Sequence, residues 1–297
     1  MAPGVHSLKP AAPAAAVSPP QQPSPAHMLV LGTGFVGRYV SQRLLTQGWS
    51  VTFSLLTVAV GRVSGTCTSP AKKTELEMLG VDASVFDATR SSLANLRSLQ
   101  DATHLLISIP PIPGIGDPLL SSHSDLQSTL KDSNLQWLCY LSSTSVYGDC
   151  DGAWVDEDAV DTIAKRKSLS QRQKLRESKQ YTARIHVADI YQAILASMSI
   201  RSARRIYNVV DDDPAPRAEV FAFARSLVER RHPSLLKDSA VSGTQDIIVA
   251  AEKRVSNARL KEELGTRLLH PTYKSGLESI LDSWHTNSTL STEISDI

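Results

Sequence analysis

Residues 28–40 read MLVLGTGFVGRYV, and the fold follows from this stretch. The apolar run Met28–Leu31 ends in a glycine, after which Val36, Val40 and Leu44 recur at helical spacing until Gly48 offers a stop. The pattern predicts a strand, a turn and a helix. Gly32, Gly34 and Gly37 form GxGxxG in that turn. The first glycine permits the tight bend, the second lets a pyrophosphate approach the backbone, and the third lets helix pack on strand. Free amides at the helix start carry partial positive charge, so Thr33, Phe35, Val36 and Arg38 join the three glycines as candidate phosphate-binding residues. Three glycines alone serve a packing turn equally well. It is the strand before, the helix after and the repeating units beyond that favour a dinucleotide.

Farther along, strand-like apolar runs are predicted at 51–58, 81–86, 104–109, 135–142 and 205–210. Helical patterns lie between several of them. One opens with Ser69 as N-cap and Pro70 at the first helical position and closes at Gly80. Others align Leu93, Leu96 and Leu99, or Leu126 and Leu130, on one face. Such alternation predicts an α/β protein with a doubly wound parallel sheet, a Rossmann-type NAD(P)-binding fold. The chain divides into a Pro/Ala-rich tail (1–27), a dinucleotide-binding core (28–155), a basic connector with a reduced C-terminal substrate region (156–285) and a polar tail (286–297).

Composition removes several classes. The 297 residues are 41% hydrophobic and 21% charged, which excludes wholesale disorder. With 31 Lys and Arg against 30 Asp and Glu, the formal charge of +1 gives no global field for nucleic acid or an anionic membrane, and neither partner is expected. Cys67, Cys139 and Cys150 are too few and too irregular for a disulfide framework or a zinc site. The longest apolar run, 51–60, is far short of the ~20 residues that span a bilayer. Residues 1–27 hold seven Pro and seven Ala and read as a solvated tail. They lack the apolar region of a secretory signal, and their lack of acidic residues leaves a transit peptide open. A cytoplasmic location is expected, with the chloroplast or another organelle as the alternative.

Cofactor choice depends on the residues just beyond the second strand. An Asp or Glu there would bind the 2′-hydroxyl of NAD, but the first acidic residue of the chain is Glu75. Arg38 and Arg62, with Lys72 and Lys73 behind them, suit a 2′-phosphate. NADP is therefore expected, with NAD as the alternative.

Longer motifs carry a resemblance. LVLGTGFVGRYV (29–40), VFDAT (85–89), LLISIPP (105–111), YLSSTSVYGD (140–149), RIHVADI (184–190), YNVVDDDPAP (207–216) and SNARLKEELG (256–265) together resemble the extended and atypical short-chain dehydrogenase/reductase superfamily, in its NAD-dependent epimerase/dehydratase branch. The resemblance implies that Asp87 contacts adenine, that Ile109 and Pro110 line the cofactor cleft, and that Ser143 is the active-site hydroxyl, with Tyr147 or another group assisting. It also implies a Tyr-x-x-x-Lys acid/base pair. No tyrosine of this chain has a lysine four residues later. Only 36 residues separate Gly148 from Ile185, where the resemblance implies a further helix, strand and substrate loop. Twelve residues, Thr52–Val63, also stand between two segments that would join naturally, either as a longer second strand or as a mark of alternative splicing.

The remaining features read as structural. The basic run 165–184 is a solvated face, Asp211–Asp213 supply charge to a following helix, and His186 with Asp189 is too sparse for a metal. The expected function is nicotinamide hydride transfer on a sugar nucleotide or another small carbonyl or alcohol. The alternative is a noncatalytic NAD(P)-binding module or truncated isoform. The oligomeric state is left open.

Overall fold

The structure, a computed structural model, describes residues 26–49, 52–53, 56–57, 61–120, 123–131, 133–159, 181–200, 205–233 and 252–293. At its centre is strand β1 (His27–Leu31), every residue of which is buried. A strand covered on both faces reads as an unbroken apolar run rather than an alternating one. β1 pairs in parallel with β2 (Arg62–Cys67) on one side and β4 (His104–Ile107) on the other; β3 (Asp82–Val85) adds to β2, and β5 (Trp137–Tyr140) adds to β4. The resulting order, β3-β2-β1-β4-β5, is the expected doubly wound parallel sheet.

Side chains that alternate across β1 feed two cores. Met28 and Val30 pack with Val40 and Leu44 of α1 (Phe35–Thr46) and with Tyr191 and Ile194 of a later helix. Leu29 and Leu31 pack on the other face with Leu105, Ile107, Leu93, Leu96 and Leu99. The three leucines share a face as expected, but on a 3-10 turn (Leu93–Asn95) and the single helical turn α3 (Arg97–Gln100) rather than on one helix. α2 (Pro70–Met78) begins as its sequence predicts, the Ser69 hydroxyl accepting the Lys72 amide. α4 (His123–Lys131) precedes β5. The C-terminal portion contributes α5 (Val187–Met198), α6 (Arg217–Arg231), α7 (Ala258–Leu264) and α8 (Tyr273–Glu293). A third small core joins Tyr147, Cys150, Val155, Val210 and Val255.

Two strand expectations are corrected. The run at 51–58 is not the second sheet strand: Thr52–Phe53 and Leu56–Thr57 form a two-residue antiparallel ladder, and the sheet strand starts at Arg62. The Gly61 amide donates to the Trp49 carbonyl at 2.7 Å, so the chain on either side of residues 50–60 meets at one point. A Cβ on Gly61 would overlap the Trp49 ring, which explains the glycine at the return. The run 205–210 is not a strand either. The Asn208 amide donates to the Glu157 carboxylate at 2.6 Å and the Asp211 amide to the Arg184 carbonyl at 2.7 Å, so side-chain and loop contacts replace a ladder. Of the segment expected to be shortened (149–184) and of the basic run (165–184), the part within 160–180 lies outside the described residues.

Candidate functional site

In a parallel sheet the carboxyl ends of all strands open on one edge. Gly32–Gly34 follow β1, Thr68 and Ser69 follow β2, Asp87 follows β3, Ile109 and Pro110 follow β4, and Ser143 follows β5. The crevice of such a sheet lies where the chain reverses direction between β1 and β4.

Each glycine of the turn has a distinct reason to be there. Gly32 has φ +90°, and a Cβ on it would stand 2.7 Å from Ile109 Cγ1. A Cβ on Gly37 would overlap the Gly32 carbonyl oxygen, so α1 can meet the turn only without one. A Cβ on Gly34, in contrast, meets nothing within 4 Å. Gly34 is thus bare toward open space and not toward protein. It is also the N-cap of α1, with no side-chain cap bond and no acidic residue in the first helical turn. The amides of Phe35, Val36 and Gly37 therefore have no intrahelical acceptor and converge with the positive end of the helix on that space. This geometry fits a pyrophosphate.

Thr33 has another task. Its hydroxyl and its amide both donate to the Thr66 carbonyl, at 2.7 and 2.9 Å, and the Gly32 amide donates to Thr66 Oγ1 at 2.9 Å. Neither polar group of Thr33 is left for a phosphate; the residue ties the turn to β2. Gly65 makes room for it, since a Cβ there would lie 2.6 Å from Thr33 Cγ2. Gly65 and Thr66 were missed in the sequence. A glycine inside a buried strand, as a marker of close approach, was the available signal.

The basic residues separate. Arg38 projects from α1 toward α2, where its guanidinium lies 3.3 Å from the Glu75 carboxylate, both side chains half exposed. Lys72 and Lys73 lie in the first turn of α2, just past β2. Arg62 is corrected. It is the first residue of β2, opposite His27, so it stands at the amino edge, away from the glycine turn. There Nη2 is 3.3 Å from His27 Nδ1 and 3.8 Å from Asp101. The misplaced second strand is the reason: with the strand at 51–58 Arg62 would follow it, whereas in fact Arg62 begins it.

Asp87 lies at the carboxyl edge as expected. Its carboxylate accepts from the Thr89 hydroxyl at 2.7 Å and the Thr89 amide at 2.9 Å, and these bonds hold its pKa below the ordinary value. Ser143 is exposed, the N-cap of a 3-10 turn over Thr144–Tyr147. Its hydroxyl donates to Ser145 Oγ at 2.9 Å and accepts the Ser145 amide at 3.1 Å.

Tyr147 is corrected too. It is 2% exposed and its hydroxyl donates to Asn208 Oδ1 at 2.8 Å. Burial raises its pKa, the opposite of what a neutral-pH base requires. Its place is the third core. Two of the Asp triplet have other surroundings than a helix start: the Asp212 carboxylate pairs with Lys261 at 2.5 Å, and burial pushes Asp211 up to about 7.

No family model and no curated protein matches the chain. Among solved structures, a functionally unknown conserved protein from Silicibacter pomeroyi is 29% identical, with a TM-score of 0.61, over 87% of this chain and 99% of that one. The human epimerase family protein SDR39U1 (isoform 2), solved with NADPH, is 15% identical with a TM-score of 0.56, over 86% and 99%. Yeast methylglyoxal/isovaleraldehyde reductase Gre2, complexed with NADPH, is 15% identical with a TM-score of 0.54, over 86% and 98%. The chain shares the overall Rossmann-type α/β fold of these structures. No helix among the described residues is long and apolar enough to cross a membrane.

Proposed function

We propose that this chain binds a nicotinamide dinucleotide, NADP in preference to NAD, and acts as an oxidoreductase or epimerase on a small carbonyl or alcohol substrate. The observation that carries the reading is the bare Gly34 at the uncapped start of α1, open to space at the carboxyl edge of the sheet. The NADPH bound in SDR39U1 and Gre2, which share the fold, supports it.

The amides of Phe35, Val36 and Gly37 hold the pyrophosphate through charge-assisted hydrogen bonds, each worth about 1.5–3 kcal/mol. Ile109 and Pro110 form the wall on the β4 side, and Asp87 faces the adenine. Arg38, with Lys72 and Lys73, faces the 2′-phosphate; no Asp or Glu stands in the turn between β2 and α2, and Glu75 beyond it pairs with Arg38. When bound, the cofactor supplies hydride transfer. Ser143 supplies an exposed hydroxyl that can turn from Ser145 Oγ to donate to a substrate oxygen.

A second reading rests on Tyr147. With that phenol bound to Asn208 and no Tyr-x-x-x-Lys pair in the sequence, no acid/base residue of the familiar kind is in place, as in a noncatalytic NAD(P)-binding module or a shortened isoform. One experiment separates the readings. Saturable NADPH fluorescence enhancement, with substrate-dependent oxidation across a panel of sugar nucleotides, aldehydes and ketones, supports the enzyme; enhancement without turnover supports the module. Absence of saturable binding refutes both.

A further inference from the structure

The start of α1 carries no side-chain cap of its own, because Gly34 has no side chain to offer and the first helical turn holds no acidic residue. Its direction must be set from beneath. The support is Thr66, next to last in β2 and 1% exposed. The register of β1 on β2 ends with Val30 opposite Gly65, and past that pair Thr66 takes over the contact with the turn. Its hydroxyl oxygen accepts the Gly32 amide at 2.9 Å, and its carbonyl accepts both the Thr33 amide at 2.9 Å and the Thr33 hydroxyl at 2.7 Å. Two successive amides and one side chain of the glycine turn are thus fixed on one residue outside the glycine signature.

The residue type at this position carries information. Valine has nearly the shape of threonine and enters a buried strand without desolvating a hydroxyl, so a threonine this deeply buried needs a partner to offset that cost. The partner is the Gly32 amide. Glycine populates positive and negative φ about equally, so Gly32 by itself does not select its φ of +90°. The bond to Thr66 helps to select it.

We infer that Thr66 is a positioning residue for the dinucleotide: through Gly32 and Thr33 it holds the amides of Phe35, Val36 and Gly37 in the direction that receives the pyrophosphate. The inference rests on the dinucleotide reading of the glycine turn and adds to it a residue that does not touch the ligand. Its effect falls on affinity, because a turn fixed in advance gives up little freedom when the ligand arrives.

NADPH fluorescence titrations and thermal melts on the full chain provide the test. Thr66→Val, which keeps the shape and removes the acceptor, is expected to weaken NADPH by about tenfold or more, and Thr66→Ser, which keeps the acceptor, to bind within about threefold of wild type. Ser64→Ala is the control for a purely structural hydroxyl. Ser64 is likewise 1% exposed in β2, but its hydroxyl bonds His27 at 2.8 Å and Asp82 at 3.2 Å, away from the turn. Its loss is expected to lower Tm while NADPH affinity stays within about twofold of wild type. Thr33→Val, on a half-buried side chain, removes only the 2.7 Å bond to the Thr66 carbonyl, so it carries the test should Thr66→Val fail to fold. A loss of about threefold or more is expected there. The inference is overturned if Thr66→Val or Thr33→Val binds NADPH as wild type does, if Thr66→Ser binds no better than Thr66→Val, or if Ser64→Ala loses as much affinity as Thr66→Val. Wild-type protein without saturable NADPH binding refutes the dinucleotide reading itself, and this inference with it.

Discussion

Replacing Gly34 by valine separates a residue that is bare for the protein from one that is bare for a ligand. At Gly34 a new Cβ meets no protein atom within 4 Å, and φ −70° with ψ −155° is extended backbone, outside the left-handed region that favours glycine. The folding cost is that of a poorer helix cap, about 0.5–1 kcal/mol, or roughly 1–4 °C in Tm. The branched side chain would fill the space into which the Phe35, Val36 and Gly37 amides point. Losing two charge-assisted hydrogen bonds at about 1.5–3 kcal/mol each weakens NADPH by about 10²- to 10⁴-fold. Gly37→Ala makes the opposite case, because its Cβ overlaps the Gly32 carbonyl oxygen and overpacking costs about 1–3 kcal/mol or more of stability. Fluorescence titration beside a thermal melt reads both quantities. An unchanged NADPH Kd in Gly34→Val, or a melt that falls as far as that of Gly37→Ala, refutes the assignment of the cradle.

The neighbouring side chains give further outcomes. Arg38→Gln is expected to weaken NADPH about tenfold more than NADH, while Glu75→Gln, which releases Arg38 from an exposed pair worth about 0.2–1 kcal/mol, raises the NADPH preference up to roughly fivefold; parallel titrations with both cofactors check this. Ser143→Ala should leave NADPH affinity within about twofold and lower turnover by about 10²- to 10⁴-fold, so unaltered turnover removes the hydroxyl from the chemistry. Tyr147→Phe should cost about 1–3 kcal/mol of stability by stripping the partner from buried Asn208, whose Nδ2 already has none; a selective loss of turnover at unchanged Tm would mean that the phenol is catalytic after all. Burial lowers His104 to about 4 from 6.5, so its neutral form is favoured in the fold. The associated stability, about 3 kcal/mol, is present above pH 6.5 and lost as pH falls toward 4. Denaturant melts of His104→Gln should show a shallower loss over that window, and an identical slope refutes the assignment.

The sheet was legible because local pattern and tertiary demand agree in it. Met28–Leu31 is apolar throughout since both faces of β1 are covered, and Ser69-Pro70 starts α2 by a bond made within three residues. Features decided by distant partners were not legible. Val51–Val60 has every local mark of a strand, yet β1 pairs with Arg62–Gly65 instead. That one displacement also moved Arg62 to the wrong edge of the sheet. Ser143 and Tyr147 share a motif, but Asn208, 61 residues beyond Tyr147, claims its hydroxyl and no spacing rule shows it. Thr33 lies inside the glycine signature, and only the approach of Thr66 reveals that its polar groups face the scaffold.

The hydrogen bond that closes Gly61 onto Trp49 makes that point a stem, with both ends of residues 50–60 anchored next to each other at the base of the sheet. For a segment whose ends already meet, added length is charged only logarithmically in entropy, about 0.6 kcal/mol per doubling. Lineages can therefore lengthen, shorten or replace what hangs from this stem while the register of β1 and β2 stays fixed. It is a site where evolution, or a protein engineer grafting a peptide, can vary the molecule without disturbing the glycine-turn edge of the sheet.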